Sequence, residues 1–392
     1  MSVWLFVRSH RYSSAIMSQT KSLDAGVVRS DLVMSDGRTI RYYDSTERLR
    51  EAKDLRPVEE QPGIGELRLD PLLNEWVVMA AHRQGRVFLP PKELCPLCPT
   101  RSDLLSEIPD SDYEVVVFDN RSPSLRAPEG DWALPDLVGT DTEPGTAAGK
   151  CEVVCFTDNH GGSFGELSER QVRTLMEAWR DRVRELSTHS YIRHIAPFEN
   201  RGEEVGVTLF HPHGQIYAYS YLPPRVIKML DVAKAHFETN GRVLFDDVLA
   251  RELHDEERIV ARNQHWVAFV PYAARYPFEI HVAPLSPVAD LAELSAEQAD
   301  AFPEISIEVM RRLDGVFGIS MAYIATWHQA PVREGRDLLR LHWQITSVRR
   351  APGKLKYLAG SESAMGAFIM DLKPEQSAGQ LRDAAVIKRL DR

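Results

Sequence analysis

Gly165-Glu166-Leu167-Ser168-Glu169-Arg170-Gln171 returns later in the chain as Ala292-Glu293-Leu294-Ser295-Ala296-Glu297-Gln298. In each copy a serine stands three residues before a glutamine, so the hydroxyl can cap a helix start while the glutamine reaches back to the capping residue. Apolar residues then recur at helical spacing: Leu175, Trp179, Val183 and Leu186 after the first, Ile305, Val309 and Leu313 after the second. The echo continues downstream. Gln215-Ile216 lies 47 residues beyond Ser168 and Gln344-Ile345 lies 49 beyond Ser295, with His213 and His342 each two residues ahead of the glutamine. Two cap motifs alone could agree by chance, but the matched order and spacing point to two diverged copies of one α+β unit.

Strands are expected at 75–80, 113–119, 151–157, 192–197 and 215–222, where β-branched and aromatic residues cluster between turn residues. Residues 24–66 read as charged and irregular, and Gln61-Pro62-Gly63-Ile64-Gly65 precedes Glu66-Leu67-Arg68-Leu69-Asp70. The folded body is therefore expected to begin near Glu66, giving a partly disordered tail over 1–65 and two units, 66–225 and 226–392.

A chain of 392 residues with 43% hydrophobic and 27% charged residues has ordinary globular composition. No stretch approaches the roughly 20 apolar residues of a membrane helix. A formal charge of −10, from 47 basic and 57 acidic residues, argues against a surface built to lie along nucleic acid. A few placed arginines still suffice for a small phosphorylated ligand. The four cysteines are too few and too unevenly placed for a disulfide scaffold, which favours a reducing, cytoplasmic setting. Arg8, Arg11 and Lys21 follow the apolar run Val3-Trp4-Leu5-Phe6-Val7 rather than precede it, so a secretory signal is not expected. An upstream tail before Met17 is preferred over a transit peptide.

The chemistry centres on His211-Pro212-His213-Gly214-Gln215. In an extended segment residues 211, 213 and 215 share one side. A neutral imidazole nitrogen attacks phosphorus near pH 7, and the phosphorus–nitrogen bond so formed is readily broken. Gln215 can donate its amide to a phosphoryl oxygen as charge builds there. Gly214 lets a backbone approach closely where a phosphoryl group must sit. A single histidine would read as a satisfied strand residue; two, with glycine and glutamine, favour chemistry.

Cys95-Pro96-Leu97-Cys98 is a C-x₂-C knuckle that presents two thiolates to one metal. Two more ligands are needed, and His160 and His211 are the candidates nearest the proposed chemistry. A closed Cys₂His₂ set is structural, with no open position for water. Cys151 and Cys155 read as core cysteines, because on a strand they lie about 13 Å apart. A loop with two free thiols is the plainer alternative for the knuckle.

Over residues 66–372 these motifs resemble galactose-1-phosphate uridylyltransferase, a class within the histidine-triad superfamily. They are Cys95-Pro96-Leu97-Cys98-Pro99, Phe198-Glu199-Asn200-Arg201-Gly202, His211-Pro212-His213-Gly214-Gln215, Val270-Pro271-Tyr272, Pro277-Phe278-Glu279 and Trp327-His328-Gln329-Ala330-Pro331. The resemblance implies an α+β fold of two fused histidine-triad-like units, each an antiparallel sheet with packed helices. It implies a ping-pong reaction of galactose metabolism, in which His213 takes the uridylyl group of UDP-glucose and passes it to galactose 1-phosphate. Gln215 is implied as the phosphate partner, Arg83, Asn120, Asn200 and Thr208 as nucleotide- or phosphate-binding residues, and Cys95, Cys98, His160 and His211 as zinc ligands. Lys356, Tyr357 and Glu362 match the hexose-binding segment, which in the family reaches the neighbouring subunit's site and so implies a homodimer.

The chain also departs from the family. A second metal is held there by a glutamate and three histidines, of which only His328 is matched; Thr346, Val348 and Met229 stand at the other positions, so that site is not expected. Ser361 and Phe368 replace a tyrosine and a glutamine of the hexose segment, which leaves the sugar open. A nucleotide-sugar phosphorylase or another nucleotidyltransferase is the rival enzyme reading. A zinc-binding interaction module is the rival from another class, and it leaves Gln215 without purpose.

Overall fold

The computed structural model of the protein describes residues 19–58, 63–85, 89–130, 132–134 and 144–387. In chain order, the N-terminal portion carries β1 (Gln19–Ser22), β2 (Val28–Val33), β3 (Thr39–Asp44), β4 (Glu66–Asp70), β5 (Glu75–Met79), β6 (Val115–Asp119), β7 (Gly145–Thr146) and β8 (Gly149–Cys155). Then come α1 (Glu169–Leu186), β9 (His194–Arg201), β10 (His213–Tyr219), α2 (Pro224–Asn240) and α3 (Leu244–Asp255). The remainder holds β11 (Ile259–Arg262), β12 (Trp266–Phe269), β13 (Phe278–Pro284), α4 (Ala296–Gly315), β14 (Tyr323–His328) and β15 (His342–Ser347). A short pair, β16 (Arg349–Ala351) and β17 (Lys354–Leu355), and α5 (Pro374–Asp383) end it.

Twelve strands form one sheet in the order β1-β2-β3-β6-β8-β10-β9-β14-β15-β13-β12-β11, with antiparallel pairing throughout. The stretch β6-β8-β10-β9 is mirrored by β14-β15-β13-β12 with the partners interchanged, so β10 and β15 occupy equivalent places on either side of a β9–β14 seam. That is the arrangement which two copies of one unit produce. The two fused antiparallel units expected from the sequence are thus present within one continuous sheet.

Both expected capping boxes form. Ser168 Oγ accepts from the Gln171 amide N–H at 3.2 Å while Gln171 Oε1 accepts from the Ser168 N–H at 3.1 Å. Ser295 and Gln298 repeat this at 3.2 and 2.9 Å. These caps start α1 and α4, whose apolar stripes pack on one face of the sheet. Trp179 from α1 meets Phe302 from α4 and Trp327 from β14, and Trp327 stacks on Trp343 from β15. Beneath them β10 alternates strictly: Gly214, Ile216 and Ala218 are buried, whereas His213, Gln215, Tyr217 and Tyr219 are half-exposed on the opposite face. The helices therefore cover one face and leave the His213, Gln215, Tyr217 and Tyr219 side of β10 half-exposed.

The expectation that the folded body begins near Glu66 needs correction. β1, β2 and β3 extend the large sheet beyond β6, with Ile40 opposite Phe118 and Tyr42 opposite Val116. Many of the charges that made this stretch look irregular are paired. Arg29 donates to Asp181 of α1 at 2.7 Å, Tyr43 hydroxyl donates to the same carboxylate at 2.9 Å, and Ile40, Tyr42 and Tyr43 are buried. Residues 1–18, including the apolar run and Met17, lie outside the described residues. No described helix is long and apolar enough to cross a membrane.

Candidate active site and metal centre

Cys95 and Cys98 are held on the loop before β6, His160 follows β8, and His211 immediately precedes β10. One ligand atom from each lies within 4.8 Å of the others. Cys98 Sγ is 3.4 Å from His160 Nδ1 and 3.5 Å from His211 Nδ1. A tetrahedral ion bound to sulfur at about 2.3 Å and to nitrogen at about 2.0 Å requires a sulfur–nitrogen spacing of about 3.5 Å, so the donor set fits such an ion. The far side of His211 is also fixed. With Nδ1 turned to the sulfur, Nε2 carries the proton and donates to the Thr157 carbonyl at 2.8 Å and to the Tyr113 hydroxyl oxygen at 2.7 Å. The Tyr113 hydroxyl in turn donates to the Leu97 carbonyl at 3.0 Å, within the knuckle. Such outer partners set the tautomer of a ligating histidine.

His213 opens β10 two residues on. Its Nδ1–H donates to the carbonyl of His211 at 2.7 Å, which leaves Nε2 as the nitrogen with the free lone pair. Burial lowers its pKa from the ordinary imidazole value, so the ring is neutral at pH 7. The motif thus divides its labour: His211 turns inward to the cysteines, and His213 faces the open side. Gly214 permits a close backbone approach, as expected, and lines the cavity beside His213. A Cβ there would meet the Phe198 carbonyl oxygen of β9 at 2.8 Å, so this glycine seats β10 against β9.

His213 and Gln215 line a cavity of about 260 Å³ together with Arg83, Asn200 and Thr208. Arg83 donates to the Tyr217 hydroxyl at 3.1 Å, while the Gln215 amide makes no hydrogen bond among the described residues. A nucleophilic nitrogen, a guanidinium and an amide with a spare donor around one small cavity suit a phosphoryl group. Asn120 is not among the residues lining it; its side chain accepts from the Ser122 N–H at 2.9 Å. Lys356 and Glu362 pair with each other at 2.9 Å, and Tyr357 is exposed, all three away from this cavity in the same chain.

A neighbouring cavity of about 730 Å³ shares Asn200 and Val207 with the first and reaches His160 and His211. Its wall includes Glu199, to which sequence reasoning assigned no role. Burial pushes the Glu199 carboxyl up to about 7, and the Tyr323 hydroxyl donates to it at 2.8 Å. Glu199 lies opposite Gly214 in the ladder, hence on the face away from His213. Its place inside the quoted Phe198-Glu199-Asn200 motif was the available signal.

Residues 58–223 match the family described as galactose-1-phosphate uridyl transferase, N-terminal domain, and residues 229–390 match its C-terminal domain. A galactose-1-phosphate uridylyltransferase of Streptomyces lividans is 40% identical over 370 residues, spanning 90% of this chain and 96% of that protein. One from Thermotoga maritima is 35% identical over 325 residues, spanning 82% and 99%. A solved structure described as uridylyltransferase superposes with a TM-score of 0.71 at 29% identity over 81% of this chain and 97% of that one. An ADP-glucose phosphorylase from Arabidopsis thaliana shares the fold, with a TM-score of 0.62 at 22% identity over 82% and 99% of the two chains.

Proposed function

The chain belongs to the galactose-1-phosphate uridylyltransferase family, and on that footing we propose that it moves a uridylyl group from UDP-glucose to galactose 1-phosphate through a covalent intermediate on His213. The observation that carries this reading is the hydrogen bond from His213 Nδ1 to the His211 carbonyl, which presents Nε2 unprotonated. Nε2 attacks the α-phosphorus of UDP-glucose. The bond to the bridging oxygen breaks, and glucose 1-phosphate leaves with the electron pair. A phosphate oxygen of galactose 1-phosphate then attacks the same phosphorus, the phosphorus–nitrogen bond breaks back onto Nε2, and UDP-galactose departs. While phosphorylated at Nε2 the ring is cationic, and the His211 carbonyl facing Nδ1–H favours that state. Gln215 donates to the phosphoryl oxygens in both steps, and Arg83, Asn120, Asn200 and Thr208 bind nucleotide and phosphate.

Cys95, Cys98, His160 and His211 hold zinc in this reading, and the ion braces the loop whose carbonyl aims His213. The N-terminal unit, ending near residue 225, bears the nucleophile and the metal; residues 226–392 form the second unit. Lys356, Tyr357 and Glu362 serve the partner's site in a homodimer, and the enzyme works in the cytoplasm.

Labelled UDP-glucose without acceptor tests the proposal. Acid-labile label on the protein and stoichiometric release of glucose 1-phosphate are expected, and neither should occur with His213→Asn. Undiminished labelling of that variant overturns the assignment. Offering inorganic phosphate in place of galactose 1-phosphate separates transfer from phosphorolysis.

A further inference from the structure

The mirrored strand order sets His342 at the head of β15, as His213 heads β10. The likeness extends to hydrogen bonding. His342 Nδ1–H donates to the Arg340 carbonyl two residues back at 3.1 Å, matching His213 and the His211 carbonyl at 2.7 Å. The glutamines then differ. Gln344 is committed, its amide nitrogen donating to Glu279 at 2.6 Å and its oxygen accepting from His328 Nε2 at 2.9 Å. Gln215 has no such partners among the described residues. The second unit therefore keeps the scaffold of a phosphoryl site but has spent the group that would steady a transferring phosphoryl.

In front of His342 and His281 opens a cavity of about 610 Å³, within the range that holds a nucleotide-sized ligand. Phe245 forms part of its wall, stacked on His342 with ring centroids 4.8 Å apart. Phe368 stands below the Arg275 guanidinium at 5.3 Å. Arg225, from the first turn of α2, and Arg275 line the same cavity. Neither guanidinium makes an ion pair with a described carboxylate, whereas Arg340 beside them is tied to Asp246 through two contacts of 3.0 Å. Burial and the neighbouring Arg275 lower the Arg225 pKa, with Glu279 opposing, as expected of two like charges that line one cavity. Glu279, a buried carboxylate whose charge acts on Arg225, is already engaged by Gln344, His281 and the Arg275 backbone N–H.

We propose that this cavity binds a nucleoside monophosphate without transferring it, the phosphate held between Arg225 and Arg275 and the base packed against Phe245. Paired guanidiniums match a phosphate dianion. An aromatic wall matches a flat base. Within one chain this cavity shares no lining residue with the one around His213, so binding to it is read apart from the transfer reaction.

Isothermal titration of the full-length protein with UMP should resolve two binding events per chain. Arg225→Gln/Arg275→Gln should lose one event or weaken it at least tenfold, while keeping the other event, the melting temperature and UDP-glucose exchange activity. Phe245→Ala alone should weaken the same event. A single event per chain in parent and variants overturns the proposal, as does a double variant that loses both events together with activity, since the cavity would then belong to the catalytic site.

Discussion

The imidazole of His213 is aimed by the backbone of His211, Nδ1 to carbonyl oxygen at 2.7 Å, and the side chain of His211 is one of the four donors of the Cys₂His₂ cluster. The Cys₂His₂ cluster and the proposed nucleophile are thus coupled through two residues of main chain. Replacing Cys98 with serine should lower bound zinc from about one ion per chain to well below it, and activity should fall with metal content. Elemental analysis alongside the exchange assay checks this; full activity in a metal-free variant would contradict the coupling.

In the proposed mechanism Gln215 acts on phosphate rather than on the histidine. Gln215→Ala is expected to reduce kcat by about 10²- to 10³-fold while the His213 intermediate still forms slowly. Single-turnover labelling separates the two effects, and an unchanged kcat would remove Gln215 from the reaction.

Glu199 makes stability depend on pH in a direction opposite to that of a salt-bridged carboxylate. Its folded pKa is raised from 4.5 to about 7 by burial, with Asp314 adding and Arg201 and Tyr323 opposing. Between those values the unfolded chain releases a proton that the folded chain keeps. The contribution is therefore complete below 4.5 and is lost as pH rises toward 7. Glu199→Gln should remove this slope, and relative to the parent it should gain up to about 3 kcal/mol between pH 4.5 and 8. Denaturant titrations at several pH values measure the difference, and parallel curves would refute it.

Glu152 and Arg182 join β8 to α1 through two bonds of 2.9 and 2.8 Å, both side chains inaccessible to solvent. Arg182→Met leaves a buried carboxylate with only the more distant Arg41 and Lys150, each 3.8 Å away. A loss of about 3–5 kcal/mol is expected. Adding Glu152→Gln should restore much of it, and equilibrium unfolding of the two variants decides the matter.

The duplicated core was legible because its signals are local. Ser168 with Gln171 and Ser295 with Gln298 need only their own backbone to form caps, and α1 and α4 begin at them. The Cys₂His₂ cluster was legible because Cys95 and Cys98 share a short loop, and because His160 and His211 flank the strands. The N-terminal strands escaped notice because their evidence is distant. Arg29 reads as a loop charge until Asp181, 152 positions away, is placed beside it. Gly214 was legible as a point of close backbone approach, but not which backbone, the Phe198 carbonyl, since cross-strand register is not written in either strand alone. His281 drew no attention for the same reason: only folding stacks it on His342, with centroids 5.0 Å apart.

The seam between β9 and β14 has a consequence for how the molecule is held together. Arg201 pairs with Tyr323 and Phe198 with Thr326, so each unit completes the other's hydrogen-bonding edge. Were the halves separate polypeptides, those edges would be open templates for association with any passing strand, and their union would weaken on dilution. Covalent linkage turns that encounter into a first-order event. A chain nicked in the loop after β10 should therefore behave as a complex with a dissociation constant, whereas the intact chain keeps its seam closed at any concentration.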